Sequence, residues 1–198
     1  MTADALIDPP TLARPQRLSA ATDVQRHEEL HGLVAAMAPF ESRENFARCV
    51  VVQYRFHTEV ETLYRRPELQ ALLPGLAESS RKKATIADLA DLGITAPAEE
   101  GGRQRSSLGF AEALGWLFVS EGSTLGAAVL LKRAQALGLD EHFGARHLAG
   151  APEGRARHWR AFVSMLDALQ LDEAEDAAVI HGARSAFDRF RELLRQAA

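Results

Sequence analysis

Residues 27–31 read HEELH, a literal match to the H-E-x-x-H pattern in which two histidines one helical turn apart bind zinc and the glutamate acts as general base. The match is partial. The extended form of the pattern needs glycine at 34 and histidine at 37, where this chain has Val34 and Met37. A third ligand would have to come from further along, for example Glu59 or Glu61. A zinc metallopeptidase is therefore one alternative reading of the chain. The other five histidines, His57, His142, His147, His158 and His181, have no metal-ligand spacing and read as solvated or hydrogen-bonded side chains. VSEGS, around Ser120 and Ser123, is not a nucleophile elbow, because position 118 is Phe and no strand precedes it. Dinucleotide and phosphate-loop patterns are absent, so no bound flavin or nucleotide is expected.

A second stretch, Glu112 to Leu137, is helical in pattern yet carries Gly115, Gly122 and Gly126. Each interior glycine costs a helix about 1 kcal/mol against alanine, so something must offset three of them. Gly115, Val119, Gly122 and Gly126 step by three or four and share one face, bordered by Ser123 and Ala127. Such a trough of nearly bare backbone suits either a closely packed helix or a flat ligand. A histidine on the first helix, facing this trough across a gap, would make a slot for a porphyrin, since neutral imidazole is a standard ligand of haem iron. The wall offers neither histidine nor carboxylate at Gly122 or Gly126 to drive peroxidase-like O–O cleavage, so activated oxygen held there would attack the ring itself.

These residues need a helical frame, and the chain supplies one. Sustained alternation of apolar and polar residues is absent while helical period recurs, so the fold is expected to be all-α. Ser19 or Thr22 is expected to cap a first helix ending near Met37, and Ser42 a second running to about Tyr64. A short helix opens at Pro67, and Ser79 or Ser80 caps the next, which ends at Leu92. Residues 94–105 read as a loop, after which Ser107 caps the glycine helix. Pro152 opens a further helix, and Asp172 caps the last one, whose buried stripe is Ile180, Ala183, Phe187, Phe190 and Leu194. With 198 residues the chain fills one domain, 17–198, behind a flexible arm, 1–16, marked by Pro9, Pro10 and Pro15.

Composition narrows the partners. A net charge of −4 argues against nucleic-acid binding. Cys49 is the only cysteine, so there is no disulfide framework, and a cytoplasmic location fits. The N-terminus lacks a signal-peptide pattern and no apolar run approaches the roughly 18 residues of a membrane span, so no membrane association is expected.

Taken together, His27 before LHGLV, PFESRENFARCVVVQYRF at 39–56, ADLADLG at 87–93, ALGWLFVSEGSTLGAAVLLKRA at 113–134, LDEHFGARHL at 139–148 and WRAFVSMLDAL at 159–169 resemble the haem oxygenases, most closely the bacterial kind. The resemblance runs from about Arg17 to Arg195. It implies haem b, both cofactor and substrate, between a proximal helix bearing His27 and a distal helix bearing Gly122, Ser123 and Gly126. It also implies ring opening to biliverdin, carbon monoxide and ferrous iron with O2 and electrons from a separate ferredoxin or reductase, by a monomer; a non-catalytic haem carrier or sensor is the alternative. His27 is then the iron ligand, and Ser123 stands where animal relatives have an acid, so proton delivery is expected to run through Ser120 or a water chain. Arg133, two turns beyond Gly126, and Arg189 are candidates to meet a propionate, and Phe190 to pack on the ring edge. The acidic residue common one turn after the proximal histidine is replaced by His31.

Overall fold

The computed structural model describes residues 13–22, 24–99 and 105–197, with the side chains of residues 21 and 24–27 outside that description. Among the described residues there is no strand, only isolated bridges at Asp140 in a turn. Eight α-helices are described: α1 Arg14–Ala21, α2 Val24–Ala36, α3 Arg43–Tyr64, α4 Pro67–Leu72, α5 Lys82–Asp91, α6 Phe110–Ala134, α7 Arg155–Ala168 and α8 Glu173–Ala197.

α3 starts where the sequence says it should: the Ser42 Oγ accepts the Asn45 N–H at 3.1 Å. The Val50–Val52 run is helical within it, so the long-range period overrides the local strand preference. Pro67 occupies the first turn of α4, and at α8 Asp172 Oδ1 accepts the Glu175 N–H while Glu175 reaches back to the Asp172 N–H.

Other boundaries differ from expectation. The expected first helix, on its Thr22 start, is α2, and α1 is a further helix before it, with the Thr22 hydroxyl bonded back to the Leu18 carbonyl. α1 begins at Arg14, inside the expected arm, and is fastened by Arg14 to Asp176 and to the carbonyls of Leu166 and Leu169; the remainder of that arm lies outside the described residues. Ser79 and Ser80 do not cap α5, which starts beyond Arg81 without a side-chain cap. Their hydroxyls go to the carboxylates of Glu121 and Glu61 instead. Ser107 lies in a short 3-10 turn, and Gly109 precedes α6 without side-chain capping. α7 begins at Arg155, three residues past Pro152.

α6 runs through the middle. Its broadest contact is with α8, and α3, α7 and the connector after it complete the surround. One apolar cluster gathers Phe56, Trp116, Phe162 and Leu18, and a second joins Phe46, Val50 and Tyr54 of α3 to Leu89, Ala127 and Leu148. By length and composition alone the segment 110–137, whose apolar 18-residue window has a mean hydropathy of 1.4, is long and apolar enough to cross a membrane, where the sequence reading expected no such run. Its apolarity has another outlet, since 56% of that window is buried inside the protein.

Candidate functional site: a slot beside the glycine helix

The glycines of α6 do not share one environment. A Cβ on Gly115 would lie 2.1 Å from the Val179 carbonyl oxygen and 2.5 Å from the Ala183 nitrogen, both backbone atoms of α8. At this position the close-packed-helix reading is the right one. A Cβ on Gly122 would meet the Trp159 indole of α7 at 3.3 Å. On Gly126 it would meet nothing within 4 Å. The flat-ligand reading therefore belongs to the second half of the helix, where Leu125 and Val129 are 45% and 65% exposed beside Gly126. Exposed apolar side chains next to bare backbone form a surface that loses by facing water.

A cavity of about 70 Å³ is lined by Val34 of α2, Phe40, Cys49 and Gln53 of α3, Leu130 of α6, one turn beyond Gly126, Phe190 of α8, and His147. Ligand pockets usually measure roughly 300–1,000 Å³, so a macrocycle would need the open surface at Gly126 as well as this cavity. Val34 of α2, Leu130 of α6 and Phe190 thus line one cavity. The Cys49 thiol, pushed up to about 11 by burial, stays protonated and points its S–H at the Met37 sulfur, 3.7 Å away. Open backbone at Gly126, flanking apolar side chains and this cavity together fit a flat macrocycle such as haem.

His27 lies on α2, but its side chain is outside the described residues. His31, one turn on, is exposed. The Arg133 guanidinium stands 4.1 Å over the Phe40 ring, at the rim of the cavity that Phe40 lines. Ser123 is exposed, and its hydroxyl donates to the Ser120 carbonyl at 2.7 Å.

Two candidates are placed elsewhere. Ser120 is fully buried, turned away from Gly126, and its hydroxyl pairs with Tyr64 Oη at 2.7 Å. A step of six residues falls roughly 120° short of two full turns of the helix, enough to put them on different faces. Arg189 is 8% exposed and held by Glu59, at 2.8 Å from Nε and 2.5 Å from Nη2, with Glu192 at 2.6 Å from Nη1. Its guanidinium neutralises Glu59, so it is part of the core and not a propionate anchor.

Several polar groups escaped the sequence reading. Glu121, next to Gly122, is fully buried and its carboxylate accepts from Tyr64 Oη at 2.6 Å and from His158 Nε2 at 2.6 Å. A lone glutamate in the apolar run LFVSEGS was the available signal. Burial, and then the neighbouring Glu121 charge, raise the Tyr64 pKa well above that of an ordinary phenol, so it remains a donor. His147 donates or accepts at 2.8 Å with the buried Asp88, which also takes the backbone N–H groups of Arg146 and His147. His57 is buried with Nδ1 unpartnered, and burial, then the charge of Arg81, lowers its pKa well below the ordinary value. His142 and His181 are solvated.

Comparison with known proteins gives this arrangement a family. The family model described as Heme oxygenase matches residues 14–196. The chain is 51% identical over 181 residues to the heme oxygenase PigA of Pseudomonas aeruginosa, covering 91% of each. The NO- and CO-bound heme oxygenase of Neisseria meningitidis superposes with a TM-score of 0.87 at 40% identity, over 94% of this chain and 92% of that one. Heme oxygenase from Leptospira interrogans, 17% identical, has a TM-score of 0.77 over 93% of this chain and 100% of that one, a likeness of fold alone. The chain belongs to the haem oxygenase family. It is an enzyme of haem degradation, and HEELH is accordingly not a peptidase zinc site. Among the described residues no three His, Cys, Asp or Glu side chains gather as a metal site.

Proposed function

We propose that haem b lies in the slot between α2 and α6, with His27 as the iron ligand and the α6 backbone as the opposite wall, open at Gly126 and backed by Trp159 at Gly122. The observation that carries this reading is the open backbone of Gly126 between Leu125 and Val129, beside a cavity that α2 and α6 both line. Haem supplies the iron at which oxygen is activated, and its own ring is opened to biliverdin, carbon monoxide and ferrous iron.

The chain's own residues bind, orient and exclude. Leu125, Val129, Leu130 and Phe190 remove the ring from water. Gly126 lets backbone approach where a side chain would intrude. Arg133 offers a cation at the rim for a propionate. Ser123 supplies a short hydroxyl on the exposed side of α6 and no carboxylate, so it orders water and carries no charge. Electrons come from outside, from a ferredoxin or a reductase, and the enzyme acts as a cytoplasmic monomer.

Adding haemin, then a reductant in air, tests the reading. Loss of the Soret band with growth of a bilin spectrum is the expected result, and His27→Ala should lose the spectrum of imidazole-ligated iron. Persistent oxygenated haem without bilin would favour a carrier, and an unchanged His27→Ala spectrum would remove His27 from the iron.

A further inference from the structure

His158, at the start of α7, stands between two carboxylates: Nε2 is 2.6 Å from Glu121 Oε2 and Nδ1 is 2.9 Å from Glu153 Oε1. An ionised carboxylate only accepts, and a neutral imidazole has one N–H and one lone pair. A neutral ring would aim its lone pair at one of these carboxylates, whereas the imidazolium satisfies both. Glu121 is fully buried and needs such a counter-charge. The residue after His158 is Trp159, whose ring a Cβ on Gly122 would meet at 3.3 Å. That ring is fixed behind by Phe162, stacked at 5.8 Å, and by Phe118 at 5.2 Å.

We propose that His158 is a positioning residue for the distal helix: as an imidazolium shared by Glu121 and Glu153 it clamps α7 to α6 and seats Trp159 beneath Gly122, coupling the shape of the haem wall to pH. It touches neither haem nor the reacting atoms, and the coupling rests on the placement of haem at Gly122 and Gly126. The charged surroundings agree. Glu121 from α6 comes first, backed by the Tyr64 phenol of α3 with Arg81 at the start of α5 beyond it. Glu153 from the turn before α7 follows, with Arg157 near it. Arg155 goes to the Thr124 carbonyl of α6, and Arg14 of α1 reaches only the far end of α7. The hydrogen bond to Glu121 raises the His158 pKa above the ordinary histidine value.

The test uses the full chain, haem-free and haem-loaded, with His158→Gln and Glu153→Gln. In the haem-free protein tryptophan fluorescence should show a transition above pH ~6.5, the ordinary histidine value. His158→Gln should abolish it, and Glu153→Gln, which removes one of two carboxylates from the cation, should move it to lower pH. Haem turnover should fall through the same transition in the wild type and lose that limb in His158→Gln. An unchanged fluorescence transition in His158→Gln, an unshifted one in Glu153→Gln, or a neutral imidazole seen by NMR at pH 6 would each overturn the clamp. A fluorescence transition with no counterpart in turnover would overturn the coupling. Failure of the haem placement itself would show separately, as normal haem binding by Gly126→Leu.

Discussion

Gly115 of α6 and Gly182 of α8 interlock backbone to backbone: the missing Cβ of Gly115 lies 2.9 Å from the Gly182 carbonyl carbon, and that of Gly182 lies 2.1 Å from the Glu112 oxygen. Neither neighbour is a side chain that can swing away. Overpacking usually costs 1–3 kcal/mol, and a contact against rigid backbone belongs at the upper end. Gly115→Ala and Gly182→Ala should each lose about 3 kcal/mol in urea unfolding. A loss near zero in either would mean that α6 and α8 do not approach this closely.

Gly126 is the cleaner probe of the slot. Leucine there meets no protein atom within reach of its Cβ, whereas leucine at Gly122 would press on the Trp159 ring and confuse a folding defect with a blocked site. Gly126→Leu should keep the helical circular dichroism of the parent and lose haem binding by tenfold or more, equivalent to about 1.4 kcal/mol. Undiminished turnover would place the haem elsewhere.

Much of this frame is legible in the sequence because its causes are local. Ser42, Pro67 and Asp172 mark helix starts through atoms within three residues of themselves. What escapes depends on partners far along the chain. Ser79 and Ser80 look like caps, yet Glu121 and Glu61 claim their hydroxyls. Three glycines on one helical face are indistinguishable until Val179, Trp159 and open space are found opposite them. The buried stripe of α8 was nearly right, but Val179 and Gly182 carry the contact with α6, while Ile180 and Phe190 are only half-buried. That Gly126 would face open space and not a neighbouring helix is something no spacing along the chain could tell.

Arg189 shows the same limit in one side chain, and its role can be measured. The Glu59 carboxylate is buried, with Arg105 Nη2 as a second cation at 2.8 Å. Burial alone would lower the Arg189 pKa, but the hydrogen bonds it donates to Glu59 and Glu192 outweigh that and raise it. Removing one partner of a buried pair typically costs about 3–5 kcal/mol, and Arg105 should keep the loss near the lower figure. Arg189→Met should therefore destabilise the fold while the protein that stays folded binds haem with unchanged affinity. A selective loss of affinity at unchanged stability would restore Arg189 as a propionate anchor.

His57 and His158 bend the pH dependence of stability in opposite directions. Burial and Arg81 hold the folded pKa of His57 below its unfolded value, so below about pH 6.5 the unfolded chain takes up a proton that the folded one refuses. Its contribution is complete above that pH and is lost as pH falls. For His158 the folded pKa is raised, chiefly by Glu121, so its contribution is complete below about pH 6.5 and is lost as pH rises through the folded value. The two limbs meet, and urea-unfolding stability of the haem-free protein should peak near pH 6.5. His158→Gln should flatten the alkaline limb and leave the acid one, because the influences that set the His57 pKa, burial and then Arg81, do not include His158. An alkaline decline that survives in His158→Gln would assign that limb to another group and remove the charge from beneath Gly122.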